Sequence, residues 1–194
     1  MRIAMSIFLS LALVVSQPAQ ALDVAGVKLA ETQRVGETTL HLNGAGVRSR
    51  FMFKLYVAAL YLPMRHQQAD VVLAAAPPRR IHLTMLRALS ADTFIEALHK
   101  GLEANVGDAQ LAVLAPRLAE FDAQLRSQGE AREGAVYTLD DTAAGTQLTV
   151  NGKPIGKPIP GSDFYRALLS VWLGDQPVQA DLKRALLGAH REAK

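Results

Sequence analysis

Between Phe51 and Leu62 the chain carries the run FMFKLYVAALYL, β-prone and almost wholly apolar, and Pro63 stops it. Such a run reads as a long strand. Side chains alternate along a strand, so Phe51, Phe53, Leu55, Val57, Ala59 and Tyr61 share one face. Met52, Lys54, Tyr56, Ala58 and Leu60 share the other. The first face reads as core. The second sets one lysine and one tyrosine among apolar neighbours, which is the makeup of a partly polar pocket wall.

The surrounding patterns alternate between strand and helix periods. Thr38 to Leu42 reads as a strand leading into a glycine-rich turn at Asn43-Gly44-Ala45-Gly46. After Pro77-Pro78, Arg80 to Leu86 is a second strand candidate, with His82 and Thr84 on one side and Ile81, Leu83 and Met85 on the other. Ser90 then caps a helix whose apolar positions are Phe94, Ile95, Leu98 and Leu102. A second helix is expected from Ala109 to Ser127, kinked or split at Pro116. Strands at 135–139 and 145–150 follow, joined by a polar stretch in which Asp140 and Asp141 read as solvated turn residues. Asn151-Gly152 supplies the positive φ of a tight hairpin into Lys153–Pro160. Helices over Ser162–Leu173 and Gln179–Leu187 finish the pattern, the last stopped by Gly188. Strands in a meander with grouped helices point to an α+β fold, an antiparallel sheet covered by helices on one face.

The N-terminus sets limits of another kind. Arg2, the apolar stretch Ser6–Val15 and the small-x-small site Ala19-Gln20-Ala21 have the order of a cleavable secretory signal. The stretch is shorter than the roughly 20 residues a membrane span needs. We therefore expect a signal peptide over 1–21, one domain over 22–194 and a periplasmic or secreted product with no membrane span. The chain has no cysteine, so an exported form holds together by packing rather than disulfides. The net charge of +3 is modest and no Lys/Arg run is present, which argues against a nucleic-acid partner. Nucleotide-binding, zinc-protease and serine-hydrolase signatures are absent. His41, His66, His82, His99 and His190 are scattered without ligand spacing, so neither metal nor cofactor is expected.

Two segments carry a family likeness. Residues 42–62 (LNGAGVRSRFMFKLYVAALYL) run from Gly-x-Gly-x-Arg into an aromatic-rich strand ending in Tyr-Leu. Residues 162–187 (SDFYRALLSVWLGDQPVQADLKRALL) form two helices around a Trp-Leu-Gly-Asp break. Together they resemble the chalcone isomerase superfamily, in particular its exported bacterial branch. The resemblance implies an open-faced β-sandwich in which a ligand cleft lies between the sheet and its helical layer.

It also implies a site. Arg48 falls where the family places an anion-binding arginine, which holds a phenolate and enolate in the isomerases and a carboxylate in the fatty-acid binders. A fixed guanidinium fork suits either anion. Tyr56 replaces the threonine that orients a water in the plant isomerases. Along the first long helix, Ser90, Thr93 and Ala97 stand where those enzymes carry Tyr, Lys and Asn. The reading that follows is an exported domain binding a small apolar or amphipathic anion, a fatty acid or an aromatic acid. Arg48, Tyr56, His82, Thr84 and Thr93 are its binding residues. An intramolecular lyase acting on an enone through Arg48 and Tyr56 is the second reading. A non-catalytic envelope partner, its cleft filled by the tyrosine, is the third.

Overall fold

The computed structural model describes residues 21–189. The expected leader lies outside them except for Ala21, which opens the first strand. Strands β1 (Ala21–Val24) and β2 (Val27–Ala30) pair as a small hairpin. The strands β3 (Thr32–Val35), β4 (Thr38–Arg50) and β5 (Phe53–Leu62) then begin a seven-stranded antiparallel sheet. After helix α1 (Ala69–Ala74), strand β6 (Arg79–Met85) continues the sheet, and helices α2 (Ala91–Asn105) and α3 (Asp108–Ser127) follow. The strands β7 (Val136–Thr142), β8 (Gly145–Val150) and β9 (Lys153–Ile159) complete it in sequence order. Two helices close the fold, α4 (Ser162–Leu173) and α5 (Ala180–Leu186). The expected α+β architecture, an antiparallel sheet with helices over one face, is the one observed.

Both faces of the apolar run are buried, but with the opposite weight to that expected. Tyr56, Ala58, Leu60 and Leu62 point into the large core beneath α2, α3 and α4. Val57, Ala59 and Tyr61 join a smaller core with Leu29, Leu40 and Leu42, against which Leu22, Val24 and Val27 of the β1–β2 hairpin pack. Phe51 and Met52 belong to the turn between β4 and β5, where both are exposed. Ser90 does cap α2, its hydroxyl accepting from the Thr93 amide at 3.2 Å. Asn151 and Gly152 take φ of 48° and 78° in the β8–β9 turn, as an Asn-Gly hairpin requires.

Two local expectations fail for physical reasons, and the split expected at Pro116 does not occur. Asn43–Gly46 is not a turn; it lies in the middle of the single strand β4, and its glycines serve close packing. A Cβ on Gly44 would collide with the Ala185 carbonyl, and one on Gly46 would stand 2.7 Å from the Ala185 Cβ, so α5 can lie on the strand only because these side chains are missing. Pro116 does not split α3, which is one helix from Asp108 to Ser127 with the proline inside it. Pro116 lies on the exposed side of the helix, as does Ala112, whose carbonyl loses its amide partner there. Asp140 and Asp141 are not solvated; they are 7% and 1% exposed within β7.

Those two aspartates answer a pair of arginines across the sheet. Arg80 is in register with Asp140 and Arg79 with Asp141, one pair to each face. Arg80 binds Asp140 through Nε and Nη2 at 2.5 and 2.6 Å, and its Nη1 donates to Gln33 at 2.7 Å. On the buried side Arg79 donates to Asp141 through Nε and Nη2 at 2.9 and 2.6 Å. Its Nη1 donates to the carbonyls of Val72 and Leu73 near the end of α1. The guanidinium also sits 5.0 Å from the Tyr165 ring of α4. One buried cation thus joins β6, β7, α1 and α4.

Removing only one member of such a pair strands the other charge without solvent. Asp141→Ala should therefore lower the unfolding free energy by about 3–5 kcal/mol in a urea titration. The double change Arg79→Met with Asp141→Leu should recover most of that loss, because no lone charge remains. A single mutant within about 0.5 kcal/mol of the parent would show that the pair carries no structural weight.

Candidate functional site

A β-bulge determines what the inner face of β4 presents. Leu40 and Leu42 point to the outer core, and strict alternation would send Gly44, Gly46 and Arg48 the same way. The register with β5 slips between Leu42 and Gly44, leaving Asn43 as the extra residue. Parity reverses there, so the two glycines meet α5 and Arg48 points into the space between sheet and helices. The Asn43 side chain is fully used in holding this distortion. Its Nδ2 donates to the carbonyls of His66 and Leu186 at 2.9 and 2.7 Å, and its Oδ1 accepts from the His66 amide at 2.7 Å.

The space is a cavity of about 510 Å³, a size typical of small-molecule sites. Arg48, Leu55 and Tyr56 line it from the sheet. From α2 come Thr93, Phe94, Ala97 and Gly101, and from α4 Val171 and Trp172. Pro177 and Val178 close one side from the link between α4 and α5. Most of the lining is apolar. Glu96, Lys100 and Arg50 contribute charge, with Lys100 bonded to Glu96 at 2.6 Å along the exposed side of α2.

Arg48 and Tyr56 stand directly opposite each other in the β4–β5 register. Gln179, the residue before α5, steadies the arginine. Its Oε1 accepts from the Ser49 amide at 2.9 Å and from Arg48 Nη1 at 3.3 Å, while its Nε2 donates to the Val47 carbonyl at 3.2 Å. Arg48 Nη1 also donates to the Ser49 carbonyl at 2.6 Å. Tyr56 accepts a hydrogen bond of 3.0 Å from the Trp172 indole. An indole N–H only donates, so the phenol oxygen is the acceptor and its own proton remains for another partner. Burial pushes the Tyr56 hydroxyl above its ordinary pKa of 10.0, against the opposing pull of Trp172 and Arg48. Tyr56 is therefore a neutral donor at physiological pH rather than a base. A cation and a neutral O–H, side by side in a mostly apolar cavity, make a receptor for one anionic oxygen group.

The structure brings together only part of the site expected from sequence. Arg48, Tyr56 and Thr93 line the cavity. His82 and Thr84 do not: they lie on the opposite side of β6, where inner positions Ile81, Leu83 and Met85 alternate with them. His82 instead bonds Gln33 at 3.3 Å and Thr84 at 3.1 Å and tilts against the Tyr61 ring. Nor does the phenol of Tyr56 fill the cleft, which removes the premise of a closed one. Trp172, Gln179 and Lys100 were missed. Trp172 opens the Trp-Leu-Gly-Asp break, yet nothing local to α4 announces that its indole meets a tyrosine 116 positions away. Among the described residues no three His, Asp or Glu side chains gather closely enough to hold a metal ion. No helix among them is long and apolar enough to cross a membrane.

A family model described as chalcone isomerase-like matches residues 21–188. Among solved structures, the chain is similar to a fatty-acid binding protein of Arabidopsis thaliana, with 15% identity and a TM-score of 0.66. That likeness covers 84% of this chain and 92% of the plant protein. No curated protein matches in sequence.

The misplaced histidine yields its own test. Burial, helped by the charge of Arg80, lowers His82 from an ordinary pKa of 6.5 to about 4. Between those values the unfolded chain binds a proton that the folded chain refuses, so stability falls as pH drops from about 6.5 to about 4. The loss attributable to His82 is about 3 kcal/mol. In His82→Gln that section of the stability–pH curve should flatten when urea midpoints are compared across the window. An unchanged slope would mean that the imidazole is protonated in the folded state.

Proposed function

The chain belongs to the chalcone isomerase-like family, and on that premise we propose that it binds a small amphipathic anion, a fatty acid or an aromatic acid, outside the cytoplasm. The observation that carries this reading is the pairing of Arg48 with Tyr56 on the wall of a mostly apolar cavity of about 510 Å³. A carboxylate accepts two charge-assisted bonds from a guanidinium and a third from a neutral phenol. The apolar body of the ligand then lies along Leu55, Phe94, Ala97 and Val171. The Arabidopsis protein of similar fold is described as a fatty-acid binder, which agrees with this choice of ligand. The N-terminal order of Arg2, apolar Ser6–Val15 and Ala19-Gln20-Ala21 supports export.

Charge-assisted hydrogen bonds contribute about 1.5–3 kcal/mol. Arg48→Ala should accordingly weaken a medium-chain fatty acid by roughly 10- to 100-fold in calorimetric titration. Arg48→Lys should restore only part, since a point charge lacks the planar fork. Equal affinity for parent and Arg48→Ala would remove the anchor.

Ring closure on an enone would use the same two groups to stabilise a developing oxyanion. The α2 wall, however, offers Thr93 and Ala97 where a polar network is required, and Lys100 is engaged by Glu96. Each missing oxyanion-type donor costs about 10²–10³-fold in rate. We expect no cyclisation of a hydroxychalcone above buffer when absorbance is followed. A clear rate abolished by Arg48→Ala would instead establish the enzyme.

A further inference from the structure

Among the described residues, exposed large hydrophobic side chains gather at the β4–β5 turn. Phe51 is 90% exposed, Met52 87% and Phe53 52%, three in succession. Phe51 holds φ at 55°, a left-handed conformation that bulky side chains rarely adopt. Isolated exposed apolar residues are ordinary; a contiguous aromatic-Met-aromatic tip is not. Three exposed cations surround it. Arg50 lies 5.7 Å from the Phe51 ring, Arg87 lies 4.4 Å from the Phe53 ring, and Lys54 follows directly. No acidic residue occurs in segments 48–56 or 86–91. The acids nearest along α2 are already matched, Glu96 by Lys100 and Asp92 by Arg126.

We propose that this tip docks the protein on an anionic bilayer surface, Phe51 and Met52 entering the acyl boundary while Arg50, Lys54 and Arg87 meet lipid phosphates. An apolar tip in a collar of cations is complementary to that layer, with hydrocarbon below and negative charge at the surface. The position gives the contact a use. Arg50 and Leu55, on either side of the tip, line the cavity, so docking sets the cavity mouth against the membrane and lets an amphipathic ligand pass without crossing water. Docking itself does not require the ligand reading to hold.

The absence of cysteine allows a local probe. Met52→Cys carrying a polarity-sensitive fluorophore should brighten and shift blue on vesicles containing phosphatidylglycerol, and much less on pure phosphatidylcholine. The same label at Val113, exposed on α3, should not respond. In co-sedimentation at low ionic strength, Phe51→Ser should weaken vesicle binding by about tenfold or more. Arg87→Gln and Lys54→Gln should each weaken it by about fivefold. Circular dichroism should remain that of the parent in all of them. Tyr56→Phe should lose fatty-acid affinity yet keep vesicle binding, which separates this inference from the ligand reading. A silent Met52 label, or vesicle binding unchanged in Phe51→Ser, would overturn the proposal. So would concentration-dependent self-association abolished by Phe51→Ser without lipid binding, which would make the tip a contact between copies.

Discussion

One extra residue in a strand sets the character of this molecule. At Asn43 the alternation of β4 reverses, and the residues from Gly44 to Arg48 change face. Before the bulge, leucines fill the outer core; after it, two glycines admit α5 and an arginine enters the cavity. The distortion is not left to chance. Asn43 is 2% exposed, and its side chain makes three hydrogen bonds, two to the loop after β5 and one to the end of α5. Unmaking any of these would leave a buried polar group unsatisfied, a cost of about 1–3 kcal/mol. The helix that the glycines admit is thus tied to the same residue that turned the glycines inward.

From that constraint the site assembles out of distant parts. The sheet brings the charge of Arg48 and the phenol of Tyr56. Helix α4 brings the Trp172 indole, and Gln179 fixes the backbone on which the arginine stands. The buried Arg79–Asp141 pair holds α4 and α1 against the sheet from the other end of the helical layer. The polar groups of the cavity are therefore positioned by partners that are themselves bonded, which lowers the cost of ordering them when an anion arrives. Burial keeps Tyr56 neutral, so it meets the anion as a donor and adds no repulsion.

Several features were readable residue by residue because their physics is local. Ser90 before an apolar helical stripe, Asn151-Gly152 between two strands, and the boundaries Ser162–Leu173 depend on capping, turn chemistry and periodicity within a few positions. The two end motifs likewise carried the family likeness. Asp140 and Asp141 were misread for the same reason in reverse. Side by side in a polar stretch they look like a turn, and the arginines that bury them are some 60 positions earlier.

The sequence by itself determined the α+β layering, the long apolar strand buried within the sheet and the presence of an arginine beside a glycine pair. Only the tertiary structure decided which way that arginine points, because a single unpaired residue reverses a two-residue period and local pattern does not mark where pairing slips. The same holds for His82 and Thr84, whose alternation was legible but whose side of the sheet was not. Alternation gives two faces; the packing of the helices decides which one becomes the wall of the cavity.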